Sequence, residues 1–256
     1  MVSFVRRSPR MNESQASAWA RWHAAYLVDG LPRLDAGLKR APRHPRDEPD
    51  EAGVRAVQLA PQPRLALPGL FGREAPLGVE IGVGAGEAIA AAALGRPEWD
   101  WLGFEVYEKA LASTMGRLGT QGAANVRLIC ADGVGGLEWL LAPGSVAELH
   151  TYFPDPWPKK RHHKRRLITP AFVDLVATRL APGGRWRVAT DWEDYAEAIA
   201  ASLASCPAMR DEYAGGETPR PADRPVTKFE RRARLAGRAV REFCWVRRDV
   251  TEEADR

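Results

Sequence analysis

From residue 76 onward, short apolar runs alternate five times with helix-forming stretches, and no other feature of the chain narrows the possible folds as much. "LGVEIGV" is followed by "GEAIAAAAL", "WLGFEV" by "YEKALASTMGRL", and "NVRLIC" by "GVGGLEWLL". "VAELHTYF" leads through a long loop to "PAFVDLVATRL", and "RWRVAT" to "DWEDYAEAIAASL". Runs this short and this apolar suit strands buried on both faces. Helices between them return the chain so that the next strand lies parallel, and they cover the sheet. The tail adds two strand candidates, "MRDEYA" and "REFCWVRR", separated by a basic connection. The expected fold is α/β, a mostly parallel, seven-stranded, doubly wound sheet formed by residues 63–256. Residues 1–62 are rich in Arg, Ala and Pro and are broken by "APRHPRDEPDEAG". They read as a basic, partly disordered N-terminal arm with one or two short helices, one of them around "SQASAWARWHAAYL".

The first strand runs into Glu80, Gly82, Gly84 and Gly86 and then an alanine-rich helix. Glycines here allow a sharp turn and a close approach of ligand to backbone. The spacing is GxGxG, not the GxGxxG of dinucleotide-binding turns, and Glu87 stands where that fingerprint has its third glycine. Its charge would oppose a pyrophosphate at the helix N-terminus, so a cofactor without phosphates fits better, and an NAD-dependent oxidoreductase is disfavoured. S-adenosylmethionine meets the requirement, being cationic at its sulfonium and ammonium groups. Glu105, ending the second strand, suits its ribose diol, and Asp132, after the third, its adenine amino group. Each acid singly could instead be a helix cap or a solvated strand end.

The fourth strand leads into "FPDPWPKKRHHKRR", residues 153–166. Pro154 and Pro156 restrict the backbone on both sides of Asp155, so its carboxylate is presented with little freedom left to lose. A turn acid making its own Asx bond is the plain alternative. The six Lys or Arg residues that follow, interleaved with His162 and His163, suit a phosphate backbone, where displaced counterions favour binding. Further on, Asp191 could cap the helix after it, and Thr227 with Glu230 forms a capping box.

These elements together resemble the bacterial tRNA (guanine-N7)-methyltransferase family, a branch of the Rossmann-like class I methyltransferases. The matching pieces are "VRRSPRMNESQ", "VEIGVGAGE", "GFEVYEKAL", "ADG", "FPDPWPKKRHHKRR", "ATDWEDYAE" and "TKFERR", in the family's order from residue 6 to about 245. The resemblance implies methyl transfer from S-adenosylmethionine to N7 of guanine 46 in the tRNA variable loop. It places Glu80, Glu105, Asp132 and Asp155 in the cofactor site with the glycines, and makes Asp155 the catalytic residue. It assigns Lys159, Asp191, Thr227, Lys228, Phe229 and Glu230 to substrate, and Arg161, His162, His163, Lys164, Arg165 and Arg166 to the tRNA. The chemistry is consistent with these assignments. Guanine N7 carries a free lone pair, so no base is needed, and one carboxylate can accept from both N1–H and N2–H of guanine.

Two rival functions remain. An exocyclic-amine methyltransferase acting on adenine N6 or cytosine N4 is suggested by "DPW", but those enzymes have a different arrangement of prolines around the acid. A non-catalytic RNA-binding protein on the same fold is opposed by the full set of acids. Net charge of +4 is too small to establish a nucleic-acid partner, so the clustering of charge carries that inference. Cys130, Cys206 and Cys244 have neither disulfide-framework nor zinc spacing, no metal is expected, and no apolar run reaches membrane-span length. A soluble, cytoplasmic protein is the expectation.

Overall fold

The computed structural model describes residues 10–32, 59–215 and 218–249. The five apolar runs form the parallel strands β1 (Leu77–Ile81), β2 (Asp100–Glu105), β3 (Val126–Cys130), β4 (Val146–Tyr152) and β5 (Leu180–Thr190). The tail supplies β6 (Met209–Asp211) and β7 (Arg241–Arg247), with β7 antiparallel to both of its neighbours. The sheet order is β3-β2-β1-β4-β5-β7-β6. The winding reverses between β1 and β4, and the carboxyl ends of strands at such a reversal are where open α/β sheets place ligands.

The helices are α1 (Glu13–Tyr26), α2 (Leu67–Phe71), α3 (Glu87–Gly95), α4 (Glu108–Gln121), α5 (Gly133–Gly135), α6 (Pro170–Arg179), α7 (Glu193–Ala204) and α8 (Lys228–Leu235). A wider turn, Gly136–Leu140, continues α5, and a tight 3₁₀ turn covers Lys160–Arg165. The core is one continuous cluster in which Val79, Trp101, Leu102, Phe104, Met115, Leu128, Val176 and Trp186 are fully buried.

Helix α1 falls within residues 1–62, on the stretch whose sequence predicts a helix. It starts on a capping box, Asn12 Oδ1 accepting from Gln15 N–H at 2.8 Å and Gln15 Oε1 accepting from Asn12 N–H at 3.1 Å. It lies flat against α4 because Gly119 has no side chain: a Cβ there would sit 2.2 Å from the Trp22 ring. Val28 N–H then donates to Leu128 O at 2.9 Å, and Leu27 bridges to Leu128, so the chain continues along the β3 edge. The proline-broken segment of the arm, with Arg6 and Arg7, lies outside the described residues.

One face of the sheet is polar where most sheets of this kind are apolar. Glu80, His150, Arg187 and Cys244 are direct neighbours across β1, β4, β5 and β7. Buried Glu148 receives two hydrogen bonds from Arg96, at 2.9 and 3.1 Å, and lies 2.6 Å from His150 Nε2. Burial raises the Glu148 carboxyl, but His150, Arg96 and Arg187 outweigh it and hold the group far below the usual range. The connection ahead of α8 reaches this face, Asp223 pairing with Arg187 at 3.0 Å and Arg224 lying over the Tyr152 ring at 5.3 Å.

Candidate active site

The turn after β1 is held from below by α4. Gly86 has φ +74°, and a Cβ on it would lie 2.6 Å from Thr114 Cγ2, so only glycine lets α4 come this close. At that distance Thr114 Oγ1 donates to Gly84 O at 2.9 Å, and Arg117 Nε to Ala85 O at 3.0 Å. Glu105 grips the same turn: its Oε2 accepts from Gly84 N–H at 3.0 Å, its Oε1 from Val106 and Tyr107 N–H at 2.9 and 3.0 Å. Asp132 is buried and accepts from Val134 and Gly135 N–H, so it does cap α5. Glu80 is only 3% exposed, and its Oε2 has no hydrogen-bond partner among the described residues.

Glu80, Glu105 and Asp155 stand in or just after the carboxyl ends of β1, β2 and β4, near enough for the charge of one to act on the next. Burial pushes Glu80 well above the ordinary range, and the charge of Glu105 adds to it. Burial also raises Glu105, against its three backbone donors, and Asp155 adds to the rise. Asp155 itself is reached by solvent, yet the protein around it raises its carboxyl too. An orphan buried acceptor beside two crowded carboxylates suits a cation. Gly82, at φ +78°, leaves the turn open on its outer side, where a Cβ would meet nothing within 4 Å. The site therefore fits the sulfonium and ammonium of S-adenosylmethionine.

The loop carrying Asp155 begins and ends in left-handed backbone, Phe153 at φ +53° and Trp157 at φ +46°. Arg166 holds its base, with Nε donating to Pro156 O at 2.9 Å and Nη2 to Asp194 Oδ2 at 2.9 Å. The cationic strip is consequently divided. Lys159, Arg161 and Lys164 are exposed, His162, His163 and Arg165 are half-buried, and Arg166 is 5% exposed. Arg165 lies over the Trp157 ring at 5.0 Å, and His162 meets that ring edge-on at 5.8 Å. A run of basic letters does not say which of them turn inward. Here Arg166 is an anchor of the loop, not part of its outer surface.

Thr227 caps α8, its Oγ1 accepting from Glu230 N–H at 3.3 Å. The Glu230 carboxylate, 1% exposed, turns inward to Arg220 at 2.9 Å, Arg224 at 2.7 Å and Arg234, where a capping box would return it to the helix start. Arg224 also pairs with Glu242. Nothing in the sequence pattern singles out Arg220 or Arg224; the one available sign is two arginines in a proline-rich connection just ahead of a buried helix acid. Lys228 is exposed, and Phe229 is 50% exposed, with its ring stacked 6.3 Å from Phe153. Asp191 does not cap α7, because the residue at the cap is Trp192; Asp191 Oδ2 instead accepts from Arg238 Nε at 2.8 Å.

A family model described as "Putative methyltransferase" matches residues 74–243. A tRNA (guanine-N(7)-)-methyltransferase of Cutibacterium acnes is 45% identical over 251 residues, covering 97% of this chain and 84% of that protein. The chain belongs to the tRNA (guanine-N(7)-)-methyltransferase family. A second member, from a Nocardioides species, is 42% identical over 248 residues, covering 97% of this chain and 88% of its own. Among solved structures, the 16S rRNA methyltransferase KamB aligns with a TM-score of 0.50 at 18% identity, over 73% of this chain and 96% of that one. That likeness is one of fold, and it agrees with the Rossmann-like class I architecture. Among the described residues of this tRNA (guanine-N(7)-)-methyltransferase family member, no group of three or more potential metal ligands occurs. No helix among them is long and apolar enough to cross a membrane. Cys130, Cys206 and Cys244 are buried.

Proposed function

We propose that this protein transfers a methyl group from S-adenosylmethionine to N7 of a guanine in tRNA, at position 46 of the variable loop. The observation that carries this reading is the placing of Glu80, Glu105 and Asp155 at the carboxyl ends of β1, β2 and β4, with an exposed cationic strip following Asp155 directly. S-adenosylmethionine, when bound, supplies a methyl group made electrophilic by its sulfonium. Glu80, Gly82, Gly84, Gly86, Glu105 and Asp132 would hold it. Asp155 accepts from the guanine N1–H and N2–H, turns N7 toward the methyl group, and offsets the positive charge that the purine acquires. Because N7 has no proton to lose, the work of the site is positioning and charge.

Around this centre, Phe229 and Phe153 offer an aromatic shelf for the base, Lys159, Lys228 and Asp191 line its edge, and Thr227 starts the helix that carries Phe229. Glu230 acts from below, through the arginines it holds. Arg161 and Lys164 meet phosphates, with His162, His163 and Arg165 supporting them. The 1–62 segment, with Arg6, Arg7 and Arg10, serves as an accessory arm to the 63–256 methyltransferase domain. Total tRNA treated with protein and cofactor, digested to nucleosides and mapped, should contain N7-methylguanosine at position 46. N6-methyladenosine or N4-methylcytidine as the product would overturn the reading.

Two variants separate the cofactor from the RNA. Glu105→Ala should weaken S-adenosylmethionine binding by roughly 10- to 100-fold, the scale of a lost charged hydrogen bond, with tRNA affinity unchanged. Calorimetry on the folded variant measures both, and normal cofactor affinity rejects the role. Neutralising Arg161 and Lys164 together should leave cofactor affinity unchanged and weaken tRNA binding. The slope of log affinity against log salt should become shallower by about 0.7 to 0.9 for each phosphate no longer neutralised. If the slope stays as it was, these residues are a solvated face.

A further inference from the structure

Glu87 puts a charge where a nucleotide-binding turn has glycine, and the fold gives that charge a task of its own. We propose that Glu87 is a positioning residue that clasps α8 to the glycine turn, so that the loop holding the cofactor also sets the position of the Thr227–Glu230 element. Lys228 N–H donates to Glu87 Oε2 at 2.6 Å, and Arg231 Nη2 donates to Oε1 at 2.8 Å. Lys228 is the first residue of α8, and its amide is one of those a helix cannot satisfy internally. An acceptor 141 positions away satisfies it. Two hydrogen bonds accepted by one planar carboxylate fix both the distance and the rotation of α8 over the turn.

The neighbours show what this controls. The Phe229 ring comes within 3.9 Å of the Cβ position of Gly84 and stacks on Phe153, so it spans the two loops between which the base and the methyl group must meet. Loosening the clasp lets Phe229 drift while Glu230 and its arginines still hold the inner side of the helix. The alternative is that Glu87 merely favours the first turn of α3 through the helix dipole. That role would be indifferent to α8. The ion pair itself is partly solvated, with the Arg231 side chain 53% exposed, so its loss should cost little global stability.

This inference rests on the proposed activity, and its test has one arm that does not. In Glu87→Ala and Glu87→Gln, amide hydrogen exchange should quicken in residues 227–235 and stay unchanged in β1 and β4. Single-turnover methylation at saturating tRNA and cofactor should fall by about 10-fold or more in Glu87→Ala, because small misplacements near the reacting atoms are costly. S-adenosylmethionine affinity should stay within about two-fold, which separates a positioning role from damage to the cofactor turn. Unchanged exchange in 227–235 overturns the clasp whatever the substrate proves to be. A normal rate in the folded variants, or a loss of cofactor affinity as large as the loss of rate, overturns it equally. Should the unaltered protein fail to methylate tRNA guanine, the proposed activity falls, and the exchange measurement alone decides whether the clasp exists.

Discussion

Replacing Asp155 with asparagine should lower single-turnover methylation by roughly 100- to 1,000-fold at saturating tRNA and S-adenosylmethionine, the scale of one preorganised electrostatic group. The substitution keeps size and shape but presents a donor to the guanine N1–H and N2–H. It also removes the anion that offsets charge on the methylated purine. Binding of either ligand should change far less than the rate, because the interaction matures in the transition state. Asp155 also predicts a pH limb. Its carboxyl, though reached by solvent, is raised by the protein around it, so the working anion is present above that raised value and lost as pH falls through it, at a pH higher than an ordinary aspartate would give. The limb should disappear in Asp155→Asn. A near-normal rate together with a lowered melting temperature would make Asp155 a turn residue only.

Glu230→Ala should have the largest effect on stability, about 3–5 kcal/mol, the usual result of stranding a buried charge. Arg224 is the residue most affected: its side chain is 1% exposed, its Nε has no partner among the described residues, and its ion pairing would fall to Glu242 alone. Arg220 and Arg234 reach solvent and should cost less. Urea unfolding measures the loss. Although burial raises it, Glu230 is held below the ordinary carboxylate range by Arg220, Arg224 and Arg234. Its contribution is therefore present above the unfolded value and should fade as pH falls through the folded one. Wild-type stability combined with lost activity would mean that Glu230 contacts the base directly.

Local pattern is enough to find the strands. The five apolar runs are β1 to β5, and the two tail candidates are β6 and β7, because strands covered on both faces read as largely apolar runs even where Glu148, His150 and Arg187 interrupt them. The glycine turn and its acids are legible for a similar reason: each is set by the strand immediately before it. What is not legible depends on partners far away in sequence. Nothing near Glu87 announces Lys228 or Arg231, and nothing in the basic run marks Arg166 as the residue that turns back to Pro156 and Asp194. The docking of α1 is half visible, in Gly116 and Gly119 spaced to form a smooth strip on α4, opposite a tryptophan-bearing helix. The inward turn of Glu230 has no local sign, since a capping box uses the same two letters.

The backbone at Phe153 and Trp157 has a consequence for how such a protein can change. Left-handed geometry at a residue with a side chain costs on the order of 1–3 kcal/mol, and glycine at either position would relieve it. The aromatic rings nevertheless add to the anchoring by Arg166, Phe153 against Phe229 and Trp157 against Arg165 and His162. Heat resistance and accurate aim of one carboxylate thus pull these two positions in opposite directions. A lineage selected for durability alone would drift toward glycine there, gain a calmer turn, and leave Asp155 on a hinge.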